Sequence, residues 1–352
     1  MGQWGRVWDA DSCYPFAMPD EEAPQPPDRP LAVRIFIGPY GLRPGWRFAL
    51  FIAVLTVFAL AGTLLLQAPL QRVLRGEGAG ALREGLFLLY LFATMWIMSR
   101  VDQQPLSSFG LGGIDRLRNF LLGGAAGFGV LSLLMGALVA ARVYHFGPPV
   151  LHGSDLLLWS LGLGLAFVFV GFFEELLMRG CPLFALSQGI GFWPAAIALS
   201  ILFGAGHIGN RGEEILGIGN AMLAGLVFAY SLRWSGSLWW AIGCHITWDW
   251  GESFFYGVAD SGNVSTHHFL SGTPSGAGWL SGGTVGPEGS VLTIAALLLL
   301  AVIVRLTIRK HAAPGLGRRR PVTSSPSSLT SNPSTPPVLP PEERESDSGH
   351  PA

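Results

Sequence analysis

Two adjacent glutamates, Glu174 and Glu175, stand inside the apolar run Phe172-Phe-Glu-Glu-Leu-Leu-Met-Arg179. A carboxylate deep in a membrane-spanning segment costs on the order of 2.5 to 3.5 kcal/mol to insert, so such residues need a reason. Helical spacing puts Arg179 one turn after Glu175 on the same face, in the favourable Glu-to-Arg order. Glu174 then points about 100° away, toward the bundle or a wet cavity. The plainer account is a charged helix end in water. Downstream, Phe203-Gly-Ala-Gly-His207 sets a histidine among small residues, and His245-Ile-Thr-Trp-Asp249 sets two polar side chains four apart on one helical face. Taken singly, His207 reads as a hydrogen bond between helices. Taken together, the glutamate pair, His207, His245 and Asp249 on three separate apolar segments point to one convergent site. Two uses fit these residue types. A glutamate can activate water, or Glu174, His207 and His245 can ligate Zn2+. No HExxH occurs, which excludes the commonest metalloprotease arrangement.

The elements that must position these residues follow from composition. Of 352 residues 50% are apolar and only 13% charged, against roughly 25% charged in soluble domains, with a mean hydropathy of +0.43. The expected fold is all-α, a polytopic transmembrane helical bundle enclosing the site. Runs near the ~20 residues needed to cross a bilayer begin at Phe48, Gly85, Phe120, Leu156, Trp193, Ile215, Ser237 and Val291, about eight spans. Residues 1–42, proline-rich and aperiodic, and 313–352, a Pro/Ser/Thr tract, are expected to be disordered tails around a membrane domain at 43–312. The Gly251–Gly289 loop, rich in glycine and serine, is placed to flap over one mouth of the bundle. Gly123 and Gly127, four apart, are read as a close helix contact. The tryptophans Trp239, Trp240, Trp248 and Trp250 read as an interfacial belt.

Charge placement gives orientation. Arg34, Arg43 and Arg47 precede the first span, and Arg305, Arg309, Lys310 and Arg318 to Arg320 follow the last. The 251–289 loop has neither Lys nor Arg. The positive-inside rule puts both termini in the cytoplasm, although Arg72, Arg75 and Arg83 count against it. No basic stretch leads directly into the first apolar run, and Arg6 stands where a myristoylation signal needs Ser or Thr, so neither a signal peptide nor that lipid is expected. Cys13, Cys181 and Cys244 form no disulfide framework or metal motif. A net charge of −1 points to no nucleic-acid partner. One lysine among many arginines suggests a GC-rich bacterial genome and hence a bacterial inner-membrane location.

In their order and spacing these residues resemble a known family. Glu174-Glu175-Leu-Leu-Met-Arg179 looks like its EExxxR motif, Phe203-Gly-Ala-Gly-His207 its FxxxH and His245-Ile-Thr-Trp-Asp249 its HxxxN/D. The family is that of the CAAX protease and bacteriocin-processing (CPBP, or Abi) intramembrane proteases, and the resemblance covers 156–255. It implies a catalytic cavity that cleaves membrane-associated peptides or proteins near the bilayer surface. Glu174 would polarise water with His207, Glu175 and Arg179 would support it, and His245 and Asp249 would stabilise the oxyanion or, in a metal-dependent enzyme, supply a further ligand. Members are described as metal-dependent and as glutamate proteases, so Zn2+ or no cofactor are both open. Asp249 stands where the motif often has Asn, and an ionised Asp accepts but cannot donate. The competing function is a proton- or ion-coupled transporter using the same Glu, His and Asp residues, for which no internal repeat speaks.

Spacing leaves one difficulty. Glu174 and His207 both fall late in consecutive runs, which would place them on opposite membrane faces unless the fourth helix continues past Cys181. Pro182 argues against a smooth continuation.

Overall fold

The computed structural model describes residues 30–38, 41–71, 77–311 and 316. Arg72, Arg75, Cys13 and the expected disordered tails, apart from their inner ends, lie outside them. The described residues include the inner end of the 1–42 segment, with a short helix α1 (Leu31–Phe36) and a two-stranded pair β1 (Ile37–Gly38) and β2 (Gly41–Leu42). Helix α2 (Pro44–Gly62) follows with proline in its first turn, where no intrahelical N–H is lost. It continues through a π-turn, Thr63–Gln67, into α3 (Ala68–Gln71). Then come α4 (Glu77–Asp102), α5 (Arg116–Ala140), β3 (Tyr144–Phe146), α6 (Gly153–Arg179), α7 (Cys181–Ile190), α8 (Phe192–Gly206), α9 (Ile215–Ser235) and α10 (Trp239–Trp250). A second π-segment, Gly251–Tyr256, extends α10 before β4 (Gly272–Pro274), α11 (Gly278–Ser281) and α12 (Leu292–Thr307).

The expected all-α membrane architecture holds, while the count of about eight spans is not confirmed. Five segments are long and apolar enough to cross a bilayer: Pro44–Leu70, Gly78–Asp102, Arg116–Ala140, Gly153–Ile190 and Ile215–Ser235. The other three expected spans are the helices α8, α10 and α12, of 15, 12 and 16 residues, short of the ~20 that cross at 1.5 Å per residue.

Helix α10 is the axis of the bundle. Trp240, Ala241, Cys244 and Trp248 join one core cluster with α5, α9 and α12, while Ile242 and Ile246 join the other with α2, α4, α6, α7 and α8. A helix apolar on every side must be buried on every side. Trp240 and Trp248 are accordingly core residues, 0% and 7% exposed, and not an interfacial belt. The Gly123/Gly127 pair acts as expected: a Cβ at Gly123 would strike the Trp240 carbonyl, and one at Gly127 the Cys244 carbonyl. Only backbone this bare lets α5 lie against α10, and Thr247 Oγ1 donates to the Gly124 carbonyl at 2.8 Å across the contact. Away from the site, Arg47 on α2 forms a buried ion pair with Asp102 at the end of α4 and donates to Gln188 Oε1 on α7 at 2.6 Å.

The chain between α6 and α8 resolves the difficulty over Glu174 and His207. Gly180 breaks the helix, with Pro182 in the first turn of α7, yet the two helices together form one apolar segment of 38 residues. Glu174 therefore lies well inside that segment. Helix α8 returns along α7 and ends at Gly206, and His207, just past its end, lines the same cavity as Glu174.

Candidate active site

Glu175 is fully buried, and its Oε1 is shared by two donors: Arg179 Nη1 at 2.7 Å, one turn on, and His245 Nδ1 at 3.0 Å from α10. The guanidinium of Arg179 lies over the rings of Phe203 (4.7 Å) and Phe228 (5.5 Å), which hold it by cation–π attraction. Gly225 on α9 makes room for it, because a Cβ there would come within 3.0 Å of Arg179 Nη2. The outcome is an i,i+4 pair made from opposite charges and closed off from solvent on all sides. Its consequence is felt at His245.

Since a carboxylate only accepts, His245 donates from Nδ1 to Glu175, and this fixes both the ring and its tautomer. Phe228 stacks on the imidazole with centroids 5.6 Å apart. Nε2 is thereby aimed at Glu174 Oε2, 3.6 Å away, and at Asp249 Oδ2, 3.4 Å away. His207 is fixed by the same logic. Its Nδ1 lies 2.8 Å from the Phe203 carbonyl, which can only accept, so Nδ1 carries a proton and the neutral ring presents Nε2 as an acceptor.

Glu174, His207, His245 and Asp249 line one cavity of about 500 Å³. Glu175 and Arg179 stand behind it, and the Glu174 side chain is 31% exposed against 0% for Glu175. All six residues expected from the sequence therefore meet, in two layers. Leu163, Phe167 and Val170 of α6 and Leu297 and Leu300 of α12 give the cavity an apolar side, while Asn210, Glu213, Ser261 and Asn263 give it a polar one. That is the lining an extended apolar segment with one polar bond requires.

The sequence reading missed Glu213, Asp260 and Glu288, which also line the cavity. They lie on loops, where no periodicity marks them. Burial first, and then the charge of Glu288, raise the pKa of Glu213, while hydrogen bonding and His207 lower it. The 251–289 loop covers the mouth as expected but is anchored and not a free flap. β4 pairs with β3, Asn220 Nδ2 donates to the carbonyls of Glu288 (2.6 Å) and Ser290 (2.9 Å), and Ser261 Oγ donates to Glu288 Oε2 at 2.6 Å.

Residues 156–251 match the family model of the type II CAAX prenyl endopeptidase Rce1-like proteins. Those residues form an Rce1-like domain. They run from the first turn of α6 to the end of α10 and contain every member of the two-layered cluster. The Rce1-like family is one of CAAX-type intramembrane endopeptidases, and the chain, with its apolar helices, is a multi-pass membrane protein. Comparison with curated proteins and with solved structures found no match.

Proposed function

We propose that the chain is an intramembrane endopeptidase in which Glu174 and His207 activate the attacking water. The observation that carries this is the pairing of an accessible glutamate with a buried one: Glu174 faces the cavity beside His245, while Glu175 uses its charge to hold Arg179 and His245 in place. Glu174 takes a proton from water as its oxygen bonds to the scissile carbonyl carbon, with His207 Nε2 accepting the second water hydrogen bond. Doubly protonated His245 keeps Nδ1–H on Glu175 and turns Nε2–H to the oxyanion. As the C–N bond breaks, Glu174 returns its proton to the leaving nitrogen, the remaining water proton passes from the new carboxyl group through His207 Nε2 to the amine, and a carboxylate and an ammonium group result. Asp249 Oδ2, 3.4 Å from Nε2 of His245, steadies that end of the ring between turnovers.

Zinc would draw on the same residues. The donor chemistry suits it, since each histidine is held through Nδ1 and offers Nε2. The donor atoms of Glu174, His207 and His245 are not, however, gathered within 4.8 Å; among the described residues the set that is so gathered lies elsewhere. The transporter reading gains nothing from the family match.

Charge placement supports a substrate approaching from outside the cytoplasm. Arg34, Arg43, Arg47, Arg100, Arg116, Arg118, Arg233, Arg305, Arg309 and Lys310 belong to helix ends away from the cavity, tied together by contacts such as Arg118 Nη2 to the Thr307 carbonyl (2.9 Å). The cavity end carries Arg83, Arg142 and Arg211 among the described residues. By the positive-inside rule the mouth faces away from the cytoplasm, which favours membrane-anchored peptides and regulators with outward-facing cleavage sites. The test is cleavage of a membrane-associated peptide library by purified protein, comparing wild type with Glu174→Gln and His207→Ala, each with and without chelator. Loss in both variants supports the assignment, equal cleavage by all three overturns it, and chelator inhibition reversed by zinc moves the site to the metal reading.

A further inference from the structure

Just beyond the matched segment, three carboxylates meet with no cation to balance them. Glu252 sits in the π-segment after α10, three residues past Asp249; Asp260 and Glu288 come from the two ends of the covering loop. One oxygen from each lies within 4.8 Å of the others. Among the described residues no Lys or Arg pairs with any of them. Their partners are neutral: Ser253 Oγ donates to Asp260 Oδ2 at 3.2 Å, and Ser261 gives Glu288 Oε2 its backbone N–H (3.1 Å) and hydroxyl (2.6 Å).

The second observation is that Glu252 is fully buried and neither of its carboxylate oxygens has a hydrogen-bond partner. The Trp248 indole approaches it but lies outside hydrogen-bond geometry. Tyr144 on β3, 1% exposed, also has an unpartnered hydroxyl, and it is close enough that the charge of Glu252 adds to burial in raising its pKa. Buried polar groups are nearly always satisfied, and an orphaned carboxylate beside two others is where an ion or a proton must enter. The backbone is shaped to keep the cluster closed. Gly286, at φ 109°, allows the chain entering the 3-10 turn Pro287–Gly289 to lie on the Ala259 carbonyl where any Cβ would collide, and this brings Glu288 to Asp260.

We propose that Glu252, Asp260 and Glu288 form a binding site for a hard divalent cation, calcium in preference to magnesium, that clamps the covering loop to the end of α10. The donors are all oxygen, which excludes a zinc preference. Three protein carboxylates brought together from a helix end and a loop suit Ca2+, which takes about six to eight oxygen ligands in flexible geometry, better than Mg2+, which demands a near-ideal octahedron and usually keeps several waters instead of an all-protein cage. Asp260, Ser253 and Glu288 also line the catalytic cavity, so the ion would fix one wall of the site without touching Glu174 or His207. The proposal stands whether or not the cavity cleaves peptides.

The experiment uses the purified full-length protein in detergent, stripped with a calcium chelator and titrated with Ca2+ or Mg2+ while thermal unfolding is followed. Calcium at about a hundredfold over its dissociation constant is expected to raise Tm by about 5 °C in wild type and equally in Glu174→Gln, with a smaller rise for magnesium. Glu252→Gln and the double variant Asp260→Asn/Glu288→Gln should lose the response. A wild-type Tm unmoved by millimolar calcium, or a response surviving in the double variant, overturns the site. Should the variants fail to fold, wild type alone decides. Tb3+ bound here is sensitised by Trp248 and displaced by Ca2+, whereas no sensitised emission, or emission that calcium does not quench, refutes the proposal. An equal response to both cations overturns the calcium preference.

Discussion

Glu175 and Glu252 are equally inaccessible, each 0% exposed, and are carried by helices that pack together, yet their surroundings differ in kind. Glu175 is met by a guanidinium and an imidazole. Glu252 is met by two more carboxylates. The first charge is compensated inside the fold, so it can act as a fixed bracket for His245. The second is not, so the protein's stability there depends on something taken up from solution. The comparison teaches that burial alone says little about what a carboxylate is for; the sign of its neighbours does.

The largest effect that would sharpen this contrast is catalytic. Glu174→Gln keeps the shape of the side chain and removes the base, and a drop of about 10²–10⁴-fold in kcat/KM is expected with Tm unchanged. A Tm that fell together with activity would mean Glu174 is structural, like its neighbour. Arg179→Met is expected to act chiefly on stability, lowering it by about 3 kcal/mol because Glu175 stays buried with only the His245 imidazole as partner. Denaturation monitored by tryptophan fluorescence would measure it. Neutralising the other region should have the opposite sign: Glu252→Gln raises the Tm of ion-free protein by relieving repulsion. If both substitutions destabilise alike, the distinction between the two regions fails.

A middling effect tests how the two regions are held together. Gly127→Leu forces a side chain into the Cys244 carbonyl and wedges α5 from α10. Overpacking of this kind costs about 1–3 kcal/mol, and because His245 and Asp249 ride on α10, activity measured well below the new Tm should also fall. Activity retained at full level would show that the site does not depend on the register of that contact.

Legibility in the sequence followed the same division. The EExxxR and HxxxD spacings are i,i+4 relations within one helix, so Glu175–Arg179 and His245–Asp249 could be paired before any fold was known. The link between them, Glu175 to His245, spans 70 residues, and the sequence joined the two motifs only as members of one convergent site, without saying which atoms meet. The relation of His207 to Glu174 was not legible, because it depends on how α6 and α7 continue across the break at Gly180, which hydropathy does not register. Glu252 left a trace, a carboxylate three residues after Asp249 in an aromatic run, but Asp260 and Glu288 are brought to it by glycine-dependent loop turns that carry no periodic signal. The span count was hard to read for a related reason: once α10 is enclosed by other helices, its apolar character reflects protein neighbours as much as lipid.

The smallest effect concerns the residue lying between the two regions. Glu213 feels the charge of His207 from one side and that of Glu288 from the other, and burial raises its pKa above the ordinary glutamate value. An acid whose pKa is raised by folding binds more protons folded than unfolded. Its contribution to stability is therefore complete below the unfolded glutamate pKa of about 4.3 and is lost as pH rises through the folded value. Wild type should show this as a gentle decline in Tm above pH 4 to 5, and Glu213→Gln, which stays neutral, should flatten it. Saturating calcium tests the origin of the shift: a cation bound among Glu252, Asp260 and Glu288 would cancel the part due to Glu288 and leave the part due to burial. A decline unchanged by calcium would show that the two acidic regions do not communicate through Glu213, whereas a decline reduced by calcium in wild type but not in Glu252→Gln would join them.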